Sequence, residues 1–331
     1  MSTPKILIIP ARRHILEAYY EYIIRYLGDE FYFEMGYPPE PPYQDIKKRV
    51  WTGQTSPLEK NPDDFDLILP QFTTHFFLDP PEKYHHKIAL AFLEPGSTQG
   101  VAVLGATNKP CEDAFGSTPH HKLRFGVDTE LFKPFPQVRL DDKLHIGFVG
   151  NTMTPRRYMK ELFMPLKTLD GVKIDIYPTI WHKHTRPDEI ESMGGQEMLD
   201  NIAGGDVWDV GLPNIYNRMD IYIRCDIDPG AQLSLGEAAA CGIPVISCDP
   251  GIGKELAEAG GGVYIDPTDR DLERIAQEIR EAVELLKGNP GHRKAMGQLG
   301  RKFVEDNYTW EKHIPAWREF FRDGLRKVKN G

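Results

Sequence analysis

Gln232-Leu233-Ser234-Leu235-Gly236-Glu237-Ala238-Ala239-Ala240-Cys241-Gly242-Ile243-Pro244-Val245-Ile246-Ser247-Cys248-Asp249-Pro250-Gly251-Ile252-Gly253-Lys254-Glu255 is the stretch on which the fold is read. Leu235 to Gly242 reads as a helix of small residues. Pro244 to Ser247 is a short apolar strand, and Asp249-Pro250-Gly251-Ile252-Gly253 is a glycine turn after it. A matching turn, Asp228-Pro229-Gly230-Ala231, leads into the helix from the other side. Strands alternating with helices through such turns signal α/β layers and parallel sheets. In open parallel sheets a ligand binds at the carboxyl ends of the strands. There the helix N-terminal amides and the helix dipole together favour a phosphate.

Working outward, the same alternation fills the chain. Before residue 134 the apolar runs are Lys5–Ile9, Phe31–Phe33, Phe65–Leu69, Lys87–Phe92, Val101–Leu104 and Lys122–Phe125, with a tyrosine-rich helical pattern over Ile15–Leu27. Prolines cluster in Tyr37–Pro42, and the segment Pro39–Pro62 reads as an irregular or mobile excursion, since it cannot be a central strand. After it come Leu144–Val149, Val172–Tyr177, Ile221–Ile223, Pro244–Ser247 and Gly262–Ile265 as strands. Leu272–Lys287 carries a helical apolar stripe at Ile275, Ile279, Val283 and Leu286, and an amphipathic helix closes the chain from Thr309. The composition breaks at residues 134–142, where prolines give way to charges. The reading is therefore an N-terminal domain over 1–138, a C-terminal domain over 139–308 and a terminal helix over 309–331.

Composition narrows the classes. The chain has 331 residues with 40% hydrophobic and 27% charged content, which is ordinary for a globular protein and suits two domains. No stretch approaches the ~20 apolar residues of a membrane span, and the apolar core after Met1 is too short for a signal peptide, so a cytoplasmic location is expected. The four cysteines, Cys111, Cys225, Cys241 and Cys248, lack C-x-x-C spacing and read as buried, reduced thiols. A net charge of −9 argues against a general nucleic-acid binder, while leaving a modified nucleic acid open as an acceptor.

The quoted stretch resembles the signature of the group 1 family of glycosyltransferases, the sucrose- and glycogen-synthase-like transferases, which have the GT-B fold. The family's usual form is E-G-x-x-x-P-x-x-E-A-M-A-C-G-x-P-V followed by D-x-G-G-x-x-E. Three other pieces agree in order and spacing. Phe125-Gly126-Val127-Asp128 through Phe132-Lys133-Pro134 is similar to its interdomain segment N-G-V-D-x-x-x-F-x-P. Ile215-Tyr216 through Asp220-Ile221-Tyr222-Ile223 resembles Y-x-x-A-D-V-F-V, and Tyr308-Thr309-Trp310-Glu311 resembles F-S-W-E. The resemblance implies two Rossmann-like parallel-sheet domains facing across a cleft, with a C-terminal helix crossing back to the N-terminal domain. It covers residues 125 to about 321; the first part matches in strand order only.

The resemblance implies transfer of a sugar from a nucleoside diphosphate sugar to a hydroxyl acceptor with retention of configuration, and no metal or other cofactor. Donor contacts are expected from Glu237, at the position of the family's ribose-binding glutamate, and from Gly230, Ala231, Gln232, Leu233 and Ser234 in the turn before it. The family's first glutamate falls on Pro229, beside Asp228; either Asp228 substitutes or the donor sugar is gripped differently. The family's R-x4-K pair falls on Asn151 and Arg156, just after Gly150 and with Lys160 close behind. Arg156 takes the lysine's role against the charge of the leaving diphosphate.

The N-terminal half departs further. Arg12 and Arg13 follow the first strand, where they could fork onto a donor phosphate or an acidic acceptor, or stand solvated at a helix start. Glu94, and with less reason His75, are candidates for contacting the sugar or acceptor hydroxyl. His182-Lys183-His184 near Asp188 sits in a polar loop and reads as surface, and not as a metal site. Two other readings stay open: a catalytically silent sugar-nucleotide-binding subunit, and a GT-B epimerase or phosphorylase. No G-x-S-x-G and no G-x-x-x-x-G-K-[ST] occurs, which removes the commonest hydrolase and NTPase readings.

Overall fold

Short runs of isoleucine, leucine and valine form parallel ladders throughout the computed structural model. It describes residues 3–9, 15–36, 60–70, 81–92, 101–136, 141–150, 158–178, 211–227 and 233–330. The proline-rich excursion before residue 60 lies outside them, except that Asn61 caps a single 3-10 turn at Pro62–Asp64. The chain divides into two units, residues 1–126 with 310–331, and residues 127–309.

In the first unit β1 (Lys5–Ile9) runs between β2 (Tyr32–Met35) and β3 (Leu67–Pro70). A second set, β4 (Ala89–Phe92), β5 (Val103–Ala106) and β6 (His121–Lys122), is joined to it by a bridge from Ile68 to Ile88. Strands β1 and β3 are buried along nearly their whole length, as expected for parallel strands covered on both faces. Among the described residues before 127, the helices are α1 (Ile15–Leu27), the single turn α2 (Pro81–Tyr84) and α3 (Lys109–Phe115), the last capped by the Asn108 side chain on Cys111 N–H at 2.9 Å.

The second unit holds one five-stranded parallel sheet, ordered β11-β10-β9-β7-β8. Its strands are β7 (Leu144–Gly150), β8 (Val172–Pro178), β9 (Ile221–Arg224), β10 (Val245–Ser247) and β11 (Gly262–Tyr264). Among the described residues it also holds helices α4 (Leu212–Tyr216), α5 (Leu233–Ala240), α6 (Ile252–Glu258), α7 (Leu272–Gly288) and α8 (Pro290–Asn307). After β7 the chain adds β8 on one side, then crosses to place β9 on the other. The crevice between the carboxyl ends of β7 and β9 is therefore a topological switch point, the place where open α/β sheets bind ligands.

The terminal helix α9 (Trp310–Asn330) belongs to the first unit. Tyr22 stacks on Trp310 with ring centroids 5.2 Å apart, and Trp317 Nε1 donates to the Arg124 carbonyl at 2.8 Å. The tyrosines of α1 are thus packing residues for α9. The division between units also differs from the sequence reading. It falls at residue 126, and not in the proline-rich segment near 138, because residues 127–136 are built into the second unit. Phe132 is buried in its core, and Asn217 ties this segment down, accepting from Phe135 N–H at 2.9 Å and donating to the Lys133 carbonyl at 3.0 Å.

Gly126 makes the crossing possible. A Cβ there would lie 2.4 Å from Trp310 Cα and 2.5 Å from its nitrogen, both backbone atoms with nowhere to go. On the other side of the division, Val127 N–H donates to the Tyr308 carbonyl at 2.7 Å. Gly126→Ala is expected to destabilise the protein by about 1–3 kcal/mol through overpacking. A thermal midpoint equal to that of the unchanged protein would contradict this account of the crossing.

Candidate functional site

The carboxyl edge of the second sheet gathers buried polar groups that a purely structural edge would not need. Strand β7 ends at Gly150, whose φ of +137° is a conformation that L side chains rarely adopt. Strand β9 ends at Arg224, and β10 at Ser247. Arg224, Asp226, Ser234, Glu237, Ser247 and Asp249 are all buried, with Asp226 and Glu237 each 1% exposed.

Arg224 is the centre of the cluster. Its Nε and Nη2 donate to Asp226 Oδ2 at 3.2 and 3.1 Å. Its Nη1 donates to the Val149 carbonyl at 3.1 Å and to Ser234 Oγ at 3.2 Å. Burial works against the charge, but Asp226 and the nearby Tyr222 phenol more than compensate, so the guanidinium is held in its protonated form above the ordinary arginine value. Tyr222, on the same strand, donates to the same Val149 carbonyl at 3.3 Å.

Glu237 lies on α5, a helix of which every residue from Ser234 to Ala240 is buried. Tyr216, at the end of α4, donates its phenol to Glu237 Oε2 at 2.7 Å. Its carboxylate thus anchors a buried tyrosine. The helix begins at Leu233, two residues earlier than the sequence reading placed it, so Leu233 and Ser234 belong to its first turn and not to the preceding loop. Lys160 is exposed on a π-helical turn, Met159–Phe163. Arg12, Arg13, His75, Glu94, Asn151, Arg156, Asp228, Gly230, Ala231 and Gln232 lie outside the described residues.

Asp249 follows β10 and accepts from Gly253 N–H at 3.1 Å, at the start of α6; its own N–H donates to Ser247 Oγ at 3.0 Å. Burial pushes its carboxyl pKa up, the Gly253 and Gly251 amides pull it down and the Asp226 charge raises it again, leaving it at about 6. Sequence reasoning did not single out Arg224, Asp226 and Asp249, which the structure places in this buried cluster. The available signal was two charges spaced by two at the end of an apolar strand, directly before a glycine turn.

Residues 156–319 match the family model described as glycosyl transferase-like. Over that stretch the chain is similar to the group 1 glycosyltransferases. The chain is 24% identical over 261 residues to a GDP-mannose-dependent monoacylated alpha-(1-6)-phosphatidylinositol monomannoside mannosyltransferase of Corynebacterium glutamicum, covering 68% of this chain and 65% of that protein. It is 33% identical over 99 residues to an N-acetyl-alpha-D-glucosaminyl L-malate synthase of Bacillus anthracis, 30% of this chain and 25% of that protein. The chain thus spans less than two thirds of the length of these curated relatives. Among solved structures it is similar to a sucrose-phosphate synthase from Thermosynechococcus elongatus, with TM-score 0.70 and 15% identity over 96% of this chain and 98% of that one. Anabaena HepE in complex with UDP and glucose gives TM-score 0.66 and 14% identity over 96% and 99%. These likenesses establish the GT-B fold. Among the described residues, no helix is long and apolar enough to cross a membrane.

The Asp249 carboxyl yields a stability prediction with a definite sign. Its folded pKa of about 6 exceeds the ordinary 3.8, so the folded protein binds the extra proton between these values. Stability from this group is greatest below pH ~4 and falls by roughly 3 kcal/mol as pH rises through 6. Asp249→Asn keeps an oxygen for Gly253 N–H and removes the titration. Urea denaturation of both proteins from pH 4 to 8 is expected to show the variant lacking this fall; parallel curves would contradict the assignment.

Proposed function

We propose that the chain transfers a glycosyl group from a nucleoside diphosphate sugar to a hydroxyl acceptor, with retention of configuration and without a bound metal. The observation that carries this reading is a coincidence of place. The family match over residues 156–319 falls on the sheet whose switch point gathers Gly150, Arg224, Ser234 and Glu237. The family mannosyltransferase it resembles is GDP-mannose-dependent by its name, and the HepE structure it resembles holds UDP and glucose.

In this reading the diphosphate lies at the carboxyl edge between β7 and β9. The first-turn amides of α5 face it, and an amide dipole of this kind favours an anion without any reorganisation during reaction. Glu237 accepts from the ribose hydroxyls. Arg156 takes up charge on the leaving diphosphate, with Asn151, Lys160 and the Gly230–Gln232 turn beside it. Asp228 and Glu94 serve the transferred sugar and the acceptor, and Arg12 and Arg13 serve a phosphate or an acidic acceptor. Catalysis then consists of positioning two substrates and stabilising a departing diphosphate.

Two measurements test the proposal. Glu237→Gln keeps an acceptor for the Tyr216 phenol and removes only the charge. A hydrogen bond to a charged group is worth roughly 1.5–3 kcal/mol, so donor affinity is expected to fall about tenfold or more. Titration calorimetry with uridine, guanosine and adenosine diphosphate sugars reads this directly, and unchanged affinity would remove Glu237 from the site. Turnover of the preferred donor is expected to survive EDTA and to yield product of the donor's anomeric configuration by proton NMR. Loss of activity restored by manganese, or an inverted product, would contradict the mechanism.

A further inference from the structure

Arg224 stands out because a fold alone gives no reason for it. The three residues before it, Ile221, Tyr222 and Ile223, are buried and apolar or aromatic, and an apolar residue would continue the strand. Burying an ion pair instead costs several kcal/mol per ion before pairing, and hydrophobic replacements are often neutral or stabilising. The acceptors of the guanidinium are distributed in a telling way. Val149 is the penultimate residue of β7, Asp226 lies two residues beyond β9 and Ser234 is the second residue of α5. Strands β7 and β9 end, and helix α5 begins, at one switch point.

We infer that Arg224 is a positioning residue for the diphosphate of the donor: by bonding Val149 and Ser234 with one nitrogen, it fixes the spacing between the end of β7 and the first turn of α5. The inference rests on the proposed donor site and adds to it a residue that neither the sequence reading nor the family resemblance assigns. The rigid fork of the arginine suits this role. Nε and Nη2 are held by Asp226, which sets the guanidinium plane, and Nη1 is thereby aimed at the two remaining acceptors. The Phe148 ring beneath the guanidinium carbon, 5.5 Å away, closes the other side. A lysine has one nitrogen for all of these partners and cannot hold the plane. With the spacing fixed, amides from two elements can address one diphosphate together; with it relaxed, each would act alone.

The test separates the diphosphate from the nucleoside. Binding of UDP, GDP and ADP is measured by calorimetry, and binding of uridine, guanosine and adenosine by saturation-transfer NMR, for the full chain, Arg224→Met and Arg224→Lys. Arg224→Met is expected to lose diphosphate affinity about tenfold, the size of one well-fixed charged contact, while nucleoside affinity stays unchanged. Arg224→Lys, which keeps a buried cation for Asp226 should the methionine variant fail to fold, is expected to recover only part of the loss. Full diphosphate affinity in Arg224→Lys would overturn the positioning role. Equal losses for nucleoside and diphosphate would overturn it too, since they would mark a general stabiliser. If the unchanged protein binds none of the three diphosphates, the donor reading itself falls, an outcome distinct from a failure confined to the variants.

Discussion

One guanidinium, sealed among a carboxylate, a carbonyl and a hydroxyl, sets the geometry of the carboxyl edge on which the candidate site stands. Arg224 bonds residues on either side of the switch point of the second sheet, with Asp226, the Val149 carbonyl and Ser234 as its partners. Asp226 neutralises it. Asp249 then sits in the field of both, and is held by backbone amides at the start of α6. Low dielectric makes each of these bonds strong and makes any unmet partner expensive, so the network favours a single arrangement.

The sheet order explains why this edge is a candidate for the chemistry. Both units repeat the pattern in which the first strand lies between the second and the third. The crevice that results in the second unit opens between β7, which ends at a glycine in a conformation closed to other residues, and β9, which ends at Arg224. Helix α5 starts beside it. Its small residues allow α5 to pack closely: Gly236 is packed against Val127 and Ile252, and Ala238, Ala239 and Ala240 are fully buried.

Much of this was legible beforehand because strands and helices obey local rules. The helix Ile15–Leu27 has the bounds its apolar periodicity gave it, and β1 and β7 begin where their apolar runs begin. Other features depend on partners distant in sequence, which periodicity cannot see. Helix α8 lacks a clean stripe, since its buried positions include Gly297 and Gly300, which pack against Gly242 and Gly261. The proline-rich segment at 133–136 has the composition of a linker, yet Asn217, some eighty residues away, makes it part of a unit. The motif singles out Glu237, but that its carboxylate receives the Tyr216 phenol is a matter of packing. Arg224 carries no apolar signal of its own: it extends the strand one residue past the apolar run that ends at Ile223.

The central claim is that a nucleoside diphosphate binds at the switch point of the second unit. Hydrogen exchange of the full chain, with and without saturating UDP or GDP, tests it most directly. The account predicts slowed amide exchange at Gly150 and across Leu233 to Glu237, the end of β7 and the first turns of α5. Protection confined to residues 3–36 and 60–126, with those amides unaffected, would contradict it.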